Sequence, residues 1–390
     1  MTSRERRFDI DWLRVIAIFL LIPFHTGRIF DADGFYIKNA VTSPFIEEFV
    51  YFFLGQWRLA LLFVVSGIGT RFALGFRSSG QYLKERLDRL MLPLGIGILV
   101  VVPPQIYYRN LFEGRFEGSY LAFYPTFFQG ISPEGNFEWA HLWFLVYLFV
   151  FSLLALPLFL YLRSPRGQAR LEPVAAFFNR PGTIYLWALP LVLGEVALRA
   201  RYPGFQTLIG DWANVVLYLL LFIYGYVLVA HESLFDTLRR QRRTSLALAF
   251  GVLAILYALR WTGNVPDRGY TLAWSVWVAL TAANAWFWVC TLIGYAQAYL
   301  YRGGRLLSAL GSVTYPIYIF HQTVIVVVGF HVITWPLGVG LKFAIICGAT
   351  LVITPLLALL TQSTPLTRLL FGGRTRPKLA KEKVEPPRTP

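Results

Sequence analysis

Charge is scarce in this chain. Only 15% of its 390 residues are charged and 56% are hydrophobic, against about 25% and about 45–50% in a soluble domain. There is too little polar surface to coat a water-soluble globule, and disorder is excluded because it needs the opposite composition. Cysteine is scarcer still: Cys290 and Cys347 are the two, each inside an apolar run, which argues against a disulfide framework or a cysteine metal site. The sequence has no Gly-x-x-x-x-Gly-Lys-[Ser/Thr] phosphate loop and no His-Glu-x-x-His. Gly95-Ile96-Gly97 lies within an apolar span, where it has no dinucleotide meaning, so nothing points to ATP, NAD or a metal. Ser66 in LLFVVSGIG lacks the Gly-x-Ser-x-Gly setting of a nucleophile elbow. No internal repeat is evident, which weakens an inverted-repeat transporter.

Apolar and aromatic residues dominate instead, with 33 Phe, 21 Tyr, 12 Trp and a mean hydropathy of +0.54. A membrane-crossing helix needs about 20 mostly apolar residues. Ten runs qualify: 10–29, 55–75, 88–107, 140–161, 182–200, 211–230, 245–261, 271–299, 309–330 and 338–360. The expected fold is all-α, a polytopic membrane protein of about ten transmembrane helices in a lipid bilayer. Several runs carry proline, which bilayer helices tolerate when neighbours satisfy the freed carbonyls. The first run does not read as a secretory signal, because Arg14 interrupts it and Pro23, Phe24 and His25 stand where a small-residue cleavage site should follow.

The net charge of +15 takes its meaning from placement. With the N-terminus inside, twenty-five of the 36 Lys and Arg residues fall in inner segments and ten in outer segments or outer helix ends, Arg58 among the latter; Arg14 lies within the first span. Basic residues concentrate in cytoplasmic loops, so an even number of crossings with both termini cytoplasmic fits. The charge reports topology and not nucleic acid. Residues 362–390, ending RTRPKLAKEKVEPPRTP, read as a disordered basic cytoplasmic tail. Residues 108–138, the longest outer connection, mix nine aromatics with Glu113, Glu117 and Glu134. They fit an interfacial aromatic belt or a platform over an outward-facing pocket.

Ionisable groups within a bilayer are costly, and each is a functional-site hypothesis. Arg14 and His25 are eleven residues apart in the first run, about 1100° of helical rotation, so both side chains share one face about 16 Å apart. Pro23 removes the helical bond to the Phe19 carbonyl and predicts a kink just before His25. His25 alone also fits a helix-end histidine bonded to a carbonyl. Asp11 either orients Arg14 or is a first-turn acid favoured by the helix dipole. In KERLDRLMLP, Arg86 and Arg89 lie three apart at the inner mouth of the third span; paired guanidiniums suit phosphates, and they suit ordinary topology signalling equally. His141 opens WAHLWFLVYLF at an outer helix end, beside Trp143, and His321 lies mid-span with Tyr318 one turn before it. With Asp11 and Ser66, these four are possible pocket-lining residues. Glu195 and Arg199, four apart, predict a structural ion pair.

The residues resemble a known family. Arg14 and His25 within DIDWLRVIAIFLLIPFH resemble the first-helix signature of the integral-membrane acyltransferase-3 family, and Arg86-Leu87-Asp88-Arg89 resembles its Arg-x-x-Arg signature before the third span. HLWFL at 141–145 and YPIYIFH at 315–321 fall where related segments recur. IPFH, HLWFL and LDRLMLP are most similar to the glucan biosynthesis protein C group, associated with succinylation of glucans. The resemblance implies a transmembrane acyltransferase domain over residues 1–361, in a multi-pass protein of the bacterial inner (cytoplasmic) membrane. It implies transfer of an acyl group, acetyl or succinyl, from cytoplasmic acyl-CoA as donor substrate to a hydroxyl of an envelope glycan or glycolipid, with no permanently bound cofactor. Arg14, His25 and the Arg-x-x-Arg pair are the residues it implies as essential. On that reading Arg86, Arg89 and Arg14 hold CoA phosphates, and His25 serves as general base with Arg14 part of the catalytic set. A covalent acyl-histidine route and a homo-oligomer stay open. The rival class is a transporter or flippase for a lipid-linked saccharide or small organic substrate, which intramembrane charges fit equally well.

Overall fold

The computed structural model describes residues 7–204 and 206–372. Among the described residues the fold is helical, the one strand-like feature being an isolated bridge between Ile131 and Phe137. In lipid a backbone must satisfy its own polar groups, and the α-helix does so within one segment. Among the described residues, six helices are long and apolar enough to cross a membrane: Pro44–Phe76, Ser79–Phe112, Arg242–Trp261, Leu272–Tyr299, Arg305–Val332 and Val339–Thr361. Three bent pairs raise the total to nine if each is one span: Ala140–Leu154 with Leu156–Arg163 (48°), Pro165–Phe178 with Thr183–Leu198 (118°), and Trp212–Leu228 with Glu232–Arg240 (103°).

The range of six to nine, against about ten predicted, comes from such bends and from the first helix. That run is divided into Phe8–Phe19 and Leu21–Gly27. Pro23 has no N–H for the Phe19 carbonyl, and the ladder resumes with Phe24 N donating to Leu20 O at 3.2 Å. At three other prolines the freed carbonyl is taken by a side chain. Pro93 frees Arg89 O, which accepts the Tyr315 hydroxyl at 2.6 Å. Pro103 frees Leu99 O for Tyr124 (3.0 Å), and Pro316 frees Ser312 O for the Gln362 amide (3.2 Å). This is why an apolar chain tolerates proline at these depths.

Helix packing uses small residues for close approach. A Cβ added at Gly67 would collide with the Phe222 carbonyl, and one at Gly225 with the Val64 carbonyl. Helices Arg58–Phe76 and Trp212–Leu228 therefore cross with their backbones in contact. Wide i→i+5 turns interrupt Pro44–Phe76 at Glu47–Phe52, and Ser79–Phe112 at Leu87–Met91 and Gly97–Val101.

Two connections lie next to the functional region. The first, residues 28–43, is clamped by buried Asp31, which takes Arg28 at 2.6 Å and Lys38 at 2.8 Å. Removing one partner of a buried charge cluster leaves the others unpaired, so Asp31→Ala is expected to destabilise the fold by on the order of 3 kcal/mol, read as a lower thermal midpoint in lipid nanodiscs. The second, residues 113–138, packs on itself: Phe123 and Phe127 are buried, and Phe127 meets Phe137 at 5.6 Å. Tyr36 joins the two loops by donating to Glu138 at 2.8 Å. At the other end, Pro365–Leu370 forms a short helix; residues 373–390 of the expected tail lie outside the described residues.

Candidate functional site

Three helices bring three histidines together. His25 comes from Leu21–Gly27, His321 from the middle of Arg305–Val332, and His141 from the short turn Ala140–Leu142. The His25 and His321 rings are 5.1 Å apart between centroids, and His321 and His141 also 5.1 Å. His141, which the sequence placed at an interface, is buried. Both its nitrogens are used: Nε2 donates to Ile319 O at 2.9 Å, and Nδ1 accepts from Gln105 at 3.4 Å. Gln105 in turn donates to Thr323 at 2.7 Å and accepts from Gln322 at 2.9 Å. Tyr318 donates its hydroxyl to the His141 carbonyl at 2.8 Å. His141, Tyr318 and this amide network hold the cluster in place.

His321 and His25 are different. His321 Nδ1 donates to Tyr318 O at 2.8 Å, which assigns the Nδ1–H tautomer and leaves the lone pair on Nε2. That Nε2 is buried with no protein partner, and so is His25 Nδ1. Buried polar atoms are normally bonded. Two imidazole nitrogens thus lie buried in one cluster without protein partners.

A fourth member is Arg58, first residue of helix Arg58–Phe76. It is 3% exposed, its guanidinium lies 3.7 Å over the Phe24 ring, and Phe24 meets His25 edge-on at 5.1 Å. Nε and Nη1 are buried without hydrogen-bond partners, and the charge is within electrostatic reach of His25. Sequence reasoning assigned Arg58 to an outer helix end. It had a signal for more, since Arg58 falls inside the apolar run 55–75 where an ionisable group is itself a site hypothesis.

The other expected residues separate into two groups. At the far end of the first helix, Arg14 pairs with Asp11 at 3.4 Å and lies 3.6 Å from where a Cβ on Gly69 would stand. The division at Leu20 means that Arg14 and His25 do not share one unbroken helix. Arg86 stacks on Tyr82 at 4.8 Å with its Nε buried and unpartnered. Arg89 pairs with Glu85 at 3.3 Å, and Glu85 also holds Arg77 at 3.1 Å. The wide turn Leu87–Met91 begins between Arg86 and Arg89, so their bearing is not that of a regular α-helix. Ser66 donates to its own helix at Leu62 O, 2.7 Å, and Trp143 is buried against Tyr147 at 4.9 Å; neither is among the cluster's bonded partners. Among the described residues, no group of three or more His, Cys, Asp or Glu suits a metal ion.

Residues 7–359 match the family described as "Acyltransferase domain" of the acyltransferase-3 type. A protein named "Glucans biosynthesis protein C" from Escherichia coli O139:H28 is 24% identical over 262 residues, covering 63% of this chain and 65% of that protein. Proteins of the same name from Salmonella agona and Salmonella dublin are each 22% identical over 183 residues, 46% of either chain. No solved structure matches.

Proposed function

The chain belongs to the acyltransferase-3 family, and from that premise we propose that it is a membrane-embedded O-acyltransferase. It moves an acetyl or succinyl group from cytoplasmic acyl-CoA to a hydroxyl of an envelope glycan or glycolipid. The proposal includes ten crossings with both termini cytoplasmic in the bacterial inner membrane, because each of the ten apolar runs falls on a helix or helical pair. The single observation that carries the chemistry is the buried cluster in which His25 Nδ1, His321 Nε2 and the Arg58 guanidinium have polar atoms without protein partners.

The reaction is direct attack. The acceptor O–H gives its proton to His25 as the oxygen bonds to the thioester carbonyl carbon. The carbonyl oxygen becomes an oxyanion beside Arg58, whose preorganised N–H donors stabilise it. Collapse of the tetrahedral intermediate breaks the C–S bond, and the proton on His25 passes to the leaving thiolate, giving an ester and free CoA thiol. An imidazole suits this shuttle because its unperturbed pKa lies near neutrality. At the other end, Arg86 and Arg89, with Arg14, hold the CoA phosphates. Arg86→Ala is expected to raise the apparent KM for acyl-CoA about tenfold with kcat little changed, the size of one charge-assisted hydrogen bond; an unchanged donor KM returns Arg86 to topology.

The test is stoichiometric. Purified protein in lipid nanodiscs, given succinyl-CoA or acetyl-CoA and a short gluco-oligosaccharide, is expected to release one CoA thiol per acyl mass increment on the sugar. Vesicle-reconstituted protein that moves substrate across the bilayer without thiol release would replace this reading with transport.

A further inference from the structure

A cavity of about 250 Å³, lined in part by residues that flank Arg58 in the chain, is not used by the chemistry above. Its walls come from helices Pro44–Phe76, Ala188–Leu198, Trp212–Leu228 and Leu272–Tyr299. Its polar and aromatic lining includes Gln56, Glu195, Arg199, Asn214, Tyr218 and Trp277, with Trp274 beside them. Glu195 and Arg199 form the ion pair the sequence predicted, with two bonds of 2.7 Å. Arg199 also donates to Asn214 at 2.8 Å. The pair is neutral as a unit, so the cavity offers no surplus charge to a phosphate or carboxylate.

What remains is hydrogen-bonding capacity next to ring faces. Trp274 Nε1 is buried without a partner. Gln56 is buried and gives only its Oε1 to Asn284, at 3.4 Å, which leaves its amide N–H groups for the cavity. Small-molecule sites are mostly apolar with a few placed polar groups, and typically measure about 300–1,000 Å³. This cavity is at or below the lower limit, too small for a nucleotide-bearing donor. Two indoles with amide and indole donors match a compact, uncharged, hydroxyl-rich ring that has apolar C–H faces.

We infer that this cavity is a subsite for one neutral sugar residue of the acceptor, adjoining the residue that is acylated. The inference rests on the acyltransferase reading for its role and deepens it by naming where the acceptor is held. The geometry supports the adjacency. Tyr218, which lines the cavity, is within electrostatic reach of Arg58, and Gln56 stands two residues before Arg58. Arg58 packs on Phe24, the neighbour of His25. A saccharide anchored in the cavity thus presents its next residue towards the histidines, and binding through the remote ring positions the reacting hydroxyl.

Binding measured without donor separates the subsite from the chemistry. The probe is a short radiolabelled neutral gluco-oligosaccharide, added to protein in lipid nanodiscs because a sugar-headed detergent would compete. Wild-type protein is expected to bind it in the absence of acyl-CoA. Trp277→Ala, which removes a ring face, and Thr281→Phe, which fills the cavity, are each expected to weaken binding at least about tenfold, since a site built around substrate hydroxyls loses much when they go unmatched. Trp277→Phe keeps a ring and is expected to restore most of the affinity, which separates loss of the site from loss of the fold. In turnover the same variants raise the sugar KM and leave the donor KM unchanged. No binding by wild type, or wild-type binding by both Trp277→Ala and Thr281→Phe, overturns the subsite even if thiol release is intact. Loss of binding in those variants with no thiol release by wild type keeps the saccharide site and overturns only the acyltransferase reading.

Discussion

His25→Ala is expected to lower kcat for acyl transfer by about 10²–10⁴-fold, the range a positioned proton acceptor contributes, with membrane insertion, yield and donor KM unchanged. His25 is half-buried and its Nδ1 has no protein partner, so its removal costs ring contacts with Phe24, Phe35 and His321 and no Nδ1 hydrogen bond. His321→Ala is the necessary comparison. Its Nδ1–H is held by the Tyr318 carbonyl, an arrangement that orients the ring and supports a proton arriving at Nε2. If His321 positions the site, its removal costs less than that of His25. A larger loss at His321, with His25→Ala retaining most of its turnover, transfers the base role to His321. Thiol release and glycan mass measured together distinguish either case from donor hydrolysis.

The fold was legible because lipid imposes a simple rule: about 20 apolar residues, internally bonded. Each predicted run lies on helix, and the four-residue spacing of Glu195 and Arg199 gave their ion pair directly. Legibility was coarser where a helix is irregular. Eleven residues place Arg14 and His25 on one stripe only if the helix is unbroken, and Pro23 divides it at Leu20. The irregularity expected at Pro23 appears as a division of the run at Leu20, whose own backbone stays helical and carries the ladder from Ile16 O to Phe24 N. The histidines were visible one at a time. Their assembly was not, because the contact of His25 with His321 spans nearly 300 positions and depends on which helices are neighbours. Spacing along a chain carries no such information across helices. Gln105 and Gln322, which fix the cluster, carry no motif.

Arg58→Met is expected to lower kcat by about 10²–10³-fold, as removal of an oxyanion donor does, while leaving the thermal midpoint unchanged or higher. The argument starts from cost. A guanidinium 3% exposed, with Nε and Nη1 unbonded, loses its hydration without a full set of partners. The Phe24 ring at 3.7 Å returns about 2 kcal/mol by cation–π attraction, less than the several kcal/mol that burying an ion costs. A group kept under those terms destabilises the resting protein and is compensated when a negative charge forms beside it. Attack on a thioester makes such a charge for the lifetime of the tetrahedral intermediate, so the arginine's interaction is strongest in the transition state, which is what raises kcat and not affinity. Methionine has similar length and no charge, and replacing buried ions with apolar side chains is often neutral or stabilising. A structural arginine would give the opposite pair of results, a lower midpoint with kcat per folded molecule intact. Arg58→Lys retains the charge but not the planar fork and is expected to fall between the two. Turnover by Arg58→Met within about threefold of wild type, where about 10²-fold is expected, removes Arg58 from the chemistry and leaves the oxyanion without its donor.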